Sequence, residues 1–137
     1  APYLVDKIES LDGKEIYQAQ PIANGITMKK ESAEKLREMM EQTVLNGTSR
    51  KSFRPLVKNK KFEEIEMGGK TGHLTGENPR GRVDWFVGYA FDGDNKVAIA
   101  AVTVSKKYWT VKSSHIGQTL FKKYFTPFIS ANNSPKN

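Results

Sequence analysis

The 137-residue chain has the length of one domain or a large piece of one, with 37% hydrophobic residues and a mean hydropathy of −0.60. It has no cysteine, which excludes disulfide frameworks, thiolate metal sites and cysteine nucleophiles. The net charge of +7 leaves nucleic acid, an anionic surface or plain solubility as explanations. The basic residues scatter, as in Arg50-Lys51, Lys60-Lys61 and Lys122-Lys123, with no aromatic-and-glycine ribonucleoprotein signature between them, so no nucleic-acid partner is expected.

Tyr3 to Ile8 alternates as a strand and Lys14 to Tyr17 returns beside it. Asp12-Gly13 between them predicts a tight type I′ hairpin. Pro21 to Gly25 reads as loop. Glu31 to Asn46 predicts an amphipathic helix, with Ala33, Leu36, Met39, Met40, Thr43 and Val44 as one stripe and Gly47 as its stop. Thr48 to Lys61 is basic and weakly periodic and reads as a surface loop. Strand character returns over Glu63 to Leu74, and Thr75 to Gly81 reads as loop by composition. Arg82 to Phe91 is the strongest strand, with Val83, Trp85, Val87, Tyr89 and Phe91 on one face and Phe86, Gly88 and Ala90 on the other. Asp92 to Asn95 forms a turn into a second doubly apolar strand, Lys96 to Val104. A last helix is expected over Ser113 to Tyr124, followed by a polar tail.

The order of hairpin, helix, three strands and helix predicts an α+β fold of three-layer α/β/α type, an antiparallel sheet flanked by helices. No stretch has the roughly 18 apolar residues of a membrane span. No signal peptide opens the chain: Ala1-Pro2-Tyr3 runs straight into strand-like sequence, so the chain is expected to begin mid-protein or after processing.

The sharpest local feature is Gly68-Gly69-Lys70-Thr71-Gly72-His73. Lys70 offers an ammonium, Thr71 a hydroxyl, and Gly72 no β-carbon to obstruct a peptide lying along the strand edge. Lys-Thr-Gly is one of three motifs of active-site serine penicillin-binding proteins and β-lactamases. Val44-Leu45-Asn46-Gly47-Thr48 lies upstream after a helix, and Trp85-Phe86-Val87-Gly88-Tyr89-Ala90 lies downstream. Together with Pro2 to Ile8 and Asp12-Gly13, the chain to about residue 125 resembles the C-terminal portion of a penicillin-binding protein transpeptidase domain, with 126–137 as a tail.

The resemblance implies a partial β-lactamase/transpeptidase-like fold and a parent that cross-links peptidoglycan by serine acyl transfer. It implies that Lys70, Thr71, Gly72 and His73 bind the substrate, Thr71 meeting the terminal carboxylate of a D-alanyl-D-alanine stem peptide. His73 is further implied to be catalytic through its backbone N–H, one donor of the oxyanion hole. The family usually has Thr or Ser where this chain has His73. The implied partners are peptidoglycan stem peptides and β-lactams, bound with a missing N-terminal part, in an extracytoplasmic parent anchored to the membrane. No cofactor and no metal are expected, and His115 reads as structural.

Ser32-Ala33-Glu34-Lys35 and Ser130-Ala131-Asn132 match the family's other two motifs only as short patterns. Ser32 opens a helix that the resemblance places after both motifs, and Ser130 sits in the tail. No nucleophile is therefore expected in this chain, and the chain alone is expected to be inactive. The alternatives are a non-catalytic transpeptidase-like binding module, which His73 favours, and a fragment of a β-lactamase or β-lactam sensor.

Overall fold

A computed structural model describes residues 3–20, 22, 25–78, 80–106 and 110–132. Ala1-Pro2, most of the loop expected over Pro21 to Gly25, Pro79 and the tail residues 133–137 lie outside the described residues. The chain divides into two compact units, 1–33 and 34–137. The fold class is α+β, with three α-helices, one two-stranded and one three-stranded antiparallel sheet among the described residues.

The first unit carries the hairpin of β1 (Lys7–Glu9) and β2 (Glu15–Gln18). The expected two-residue type I′ turn is not what joins them. Only Gly13 has positive φ, at 82°, and Ser10 to Lys14 form a longer loop. The Ser10 hydroxyl explains the difference: it donates to the Asp12 carboxylate and accepts the Lys14 N–H, making a local side-chain turn.

The helix α1 (Lys30–Leu45) crosses the division between units. Within the second unit its apolar stripe is buried only at the end, where Val44 is 1% exposed; Leu36 and Met39 stay exposed. Gly47 does end the helix, its N–H donating to the Gln42 carbonyl at 2.8 Å. The reason is space, since a β-carbon there would come within 2.8 Å of the Thr43 Cα.

The segment read as a surface loop is instead helix α2 (Arg50–Val57) with a 3₁₀ turn at Lys60–Phe62. Phe53 and Leu56, at helical i, i+3 spacing, are buried together with Phe62, so one short apolar turn packed on the core carries this stretch.

Strands β3 (Glu66–Glu77), β4 (Arg80–Asp92) and β5 (Asn95–Ser105) form the main sheet in that order. The expected loop over Thr75 to Gly81 is largely strand. Thr75 pairs with Arg82, Gly76 with Gly81 and Glu77 with Arg80, because the β3–β4 ladder continues past the glycines. Between β4 and β5 the turn is tight, Asp92 pairing with Asn95, and Gly93 at φ 56° supplies the positive φ of its first central position.

The expected alternation in β4 holds. Phe86 and Ala90 are buried, whereas Trp85 and Val87 are each 44% exposed. The helix α3 (Ser113–Asn132) runs further than Tyr124, continuing through Pro127. Phe121 and Phe125 from α3, Phe53 and Leu56 from α2, Val44 from α1 and Met67 and Phe86 from the sheet make one core.

Phe86 is its centre. Its ring lies 5.4 Å from that of Phe53, and it is seated among three glycines. A β-carbon on Gly88 or Gly117 would come within 2.7 or 2.6 Å of the ring, and one on Gly69 closer still. The opposite sheet face carries Leu74, Val83, Trp85, Val87, Val102 and Val104; of these Val83 is buried and the other five stay accessible.

Tyr89 gives the fold an alkaline limit. Its hydroxyl donates to the Arg37 carbonyl at 3.2 Å, and burial first, then the Glu41 carboxylate, push its pKa up from 10.0 to about 12. A raised value favours the neutral phenol in the folded state, so this contribution is complete below pH 10 and is lost as pH rises through about 12. Denaturant unfolding at pH 9 and pH 11.5 is expected to show a larger loss in the wild type than in Tyr89→Phe; equal losses in both would contradict the assignment.

Candidate functional site

β3 is an edge strand, so alternate backbone N–H and C=O groups along it have no strand partner in the sheet. Lys70, Thr71, Gly72 and His73 sit mid-strand, opposite Val87, Phe86, Trp85 and Asp84 of β4. Successive strand residues face opposite sides. Thr71 and His73 therefore share a face with Phe86 and Asp84, while Lys70 and Gly72 share the other with Val87 and Trp85.

The Lys70 ammonium turns back on its own strand and donates to the Thr71 carbonyl. The Thr71 hydroxyl is 2.7 Å from that of Thr48, the residue that follows the Gly47 stop of α1. Gly72 differs from its neighbours. A β-carbon on Gly68 would strike the Tyr89 ring at 2.6 Å, whereas one on Gly72 would meet only the Trp85 Cβ at 3.8 Å, an ordinary contact. Packing within the chain thus requires glycine at 68 and 69 but not at 72.

Thr71, Gly72 and His73 border a cleft of about 360 Å³. Its far wall comes from Thr48 and the start of α2, with Lys51 and Ser52, and from the approach to α3, with Lys112 and Ser114. The two parts of this far wall are joined by the Ser52–Ser114 hydroxyl contact at 2.9 Å. The floor is Asp84, 5% exposed. Its Oδ2 accepts both the Ser113 N–H at 2.8 Å and the Ser113 hydroxyl at 2.7 Å, and Lys112 Nζ lies 3.6 Å from Oδ1. The carboxylate so satisfies a donor that the first turn of a helix leaves without a partner, at the end where negative charge is favoured. Next to it the Thr103 hydroxyl donates to the Val111 carbonyl at 3.1 Å, a second tie between the sheet and the α3 approach.

The residues expected from sequence are contiguous, but Lys70 does not line the cleft that Thr71 and His73 line. Sequence reasoning missed Lys51, Ser52, Asp84, Lys112 and Ser114; the one signal was an acid, Asp84, inside an otherwise apolar strand. Thr48 belongs to the Asn46-Gly47-Thr48 run, which by itself gives it no role. Ser130 lies late in α3, its hydroxyl donating to the Thr126 carbonyl at 2.9 Å, and Ser32 is an exposed residue of α1. His115 is exposed in the first turn of α3. Among the described residues no helix is long and apolar enough to cross a membrane, and no group of three His, Cys, Asp or Glu residues could hold a metal ion.

No curated protein and no solved structure matches the chain significantly. A family model does: that of the penicillin binding protein transpeptidase domain, over residues 1–126. The match takes in the hairpin, the three-stranded sheet, the helices α1 and α2 and most of α3, along with the whole Lys70–His73 edge. The chain belongs to the penicillin-binding protein transpeptidase domain family.

Proposed function

We propose that residues 1–125 belong to the C-terminal portion of a D,D-transpeptidase domain, whose last helix runs on to Asn132 where a tail was expected, and that the whole protein cross-links peptidoglycan stem peptides by serine acyl transfer and binds β-lactams outside the cytoplasmic membrane. In this reading β3 is the substrate-binding wall and the nucleophilic serine comes from residues outside the chain. The observation that carries it is Gly72: a glycine on a free edge strand that packing does not require, flanked by the Thr71 hydroxyl and the His73 backbone. A peptide lying along that edge uses the space a side chain would take.

Thr71 then meets the terminal carboxylate of the stem peptide, and Lys70 orients the substrate from the other face. The His73 N–H is one donor to the oxyanion that forms as the D-alanyl-D-alanine carbonyl is attacked, an interaction worth about 3 kcal/mol in such sites. His73 in place of Thr or Ser supports a second reading, a transpeptidase-like module that binds wall peptide without catalysis.

Labelled penicillin separates these. The 137-residue chain is expected to remain unlabelled, and the full-length polypeptide containing it to be acylated at a serine outside these residues. A stoichiometric adduct at Ser32 overturns the first reading, and a full-length polypeptide that never labels favours the second.

A further inference from the structure

We infer that the groove between the end of α1 and α2 is a two-fold contact between copies of this chain, in which each copy lays a basic half over the acidic half of the other.

Two hollows, of about 120 and 190 Å³, adjoin across Val44, Leu45 and Val57. Arg50, Arg54 and Lys58 border the first, and Glu41, Glu63 and Glu66 border the second. All of these residues belong to the second unit. Val44 is buried, but Leu45 and Val57 are 42% and 39% exposed, so an apolar strip separates the two charged zones. The groove shares no residue with the cleft beside β3: α2 gives Lys51 and Ser52 to that cleft, and Arg50 and Arg54 to this groove.

The charges are not neutralised within the chain. Arg50, Arg54 and Lys58 follow one another at four-residue spacing, about 6 Å apart along one side of a helix, where like charges repel. Among the described residues none of the three has a carboxylate partner, and Glu63 has no cation. Glu41 and Glu66 share a single guanidinium, that of Arg37, at 3.6 and 3.8 Å. With eight residues and an internal Pro55, α2 has little stability of its own to set against a repelling triplet. An acidic surface facing it offsets that repulsion.

The pattern of signs identifies the partner. A partner of one sign would attract one half of the groove and be repelled by the other. A two-fold axis through the apolar strip exchanges the halves, so three cations meet three carboxylates twice over, with Leu45 and Val57 of both copies between them. An apolar centre inside a charged rim is the common anatomy of a specific interface. The chain's net charge of +7 opposes association at large, so two copies come together only through a face that carries both signs.

Sedimentation of the full-length polypeptide tests this. Dimers are expected with a Kd of about 10–100 μM, as suits a small contact with charged rims. Raising NaCl from about 0.1 to about 1 M, which shortens the screening length from about 10 to about 3 Å, is expected to weaken them at least about fivefold. Arg54→Glu alone and Glu63→Arg alone each set like charges together twice, and each is expected to raise Kd at least about tenfold. An equimolar mixture of the two variants pairs one reversed attraction with one native attraction and is expected to recover most of the wild-type affinity. Both side chains are exposed and lie outside the cleft, so labelling by penicillin is expected to be unchanged in either variant. A polypeptide that stays monomeric at 100 μM overturns the inference. So does a dimer indifferent to both reversals, or a loss in each variant that the mixture does not restore.

Discussion

Replacing Phe86 with alanine is expected to lower the unfolding free energy of the chain by about 3–5 kcal/mol, among the larger costs of a single core truncation. The ring is completely buried and packs on Phe53, which in turn lies 6.0 Å from Phe121. The ring is also seated against Gly69, Gly88 and Gly117, which have no side chains to relax into the space left behind. The cavity would therefore persist, and the cost rises with residual cavity volume. The reciprocal change, Gly117→Ala, overfills the same seat and is expected to cost about 1–3 kcal/mol. Urea unfolding measures both. A Phe86→Ala loss under about 1 kcal/mol at unchanged m would show that the seat collapses.

Asp84→Ala carries the second large effect, about 2–4 kcal/mol. It removes the shared acceptor of the Ser113 N–H and hydroxyl, both buried, and leaves Lys112 without that carboxylate. The half-exposed ammonium can turn to water, so the orphaned Ser113 donors make up most of the cost. Asp84→Asn keeps an amide oxygen for one of them and is expected to cost about 1 kcal/mol. Hydrogen exchange at Ser113 and Ser114 is expected to quicken in Asp84→Ala well before that of β4; equal acceleration throughout the sheet would mean that Asp84 supports the sheet rather than the start of α3.

The strand β4 and its turn into β5 were legible because alternation and the Asp92-to-Asn95 run are local signals. Over α2 the signal is present but short: Phe53, Leu56 and Val57 stand at helical spacing, in one apolar turn set among Arg50, Lys51 and Arg54 and interrupted by Pro55. Likewise Gly76 and Gly81 spoke for a loop until each found the other across the ladder. The candidate site divides in the same way. Lys70-Thr71-Gly72 could be read as a continuous motif on a strand. The cleft it borders could not, because Thr48, Asp84 and Lys112 lie far apart in sequence and meet through three different elements. That Lys70 and Thr71 take opposite faces follows from the strand period; which of the two faces borders the cleft is visible only in the fold.

The contact between Thr48 and Thr71 has no fixed polarity, since either oxygen can be the donor. When a negative group arrives, Thr71 gives its proton outward and receives one from Thr48. When an N–H arrives, the two hydroxyls rotate in the reverse sense and Thr71 offers a lone pair. The same pair of side chains can thus meet either an acceptor or a donor, by exchanging which oxygen gives and which receives.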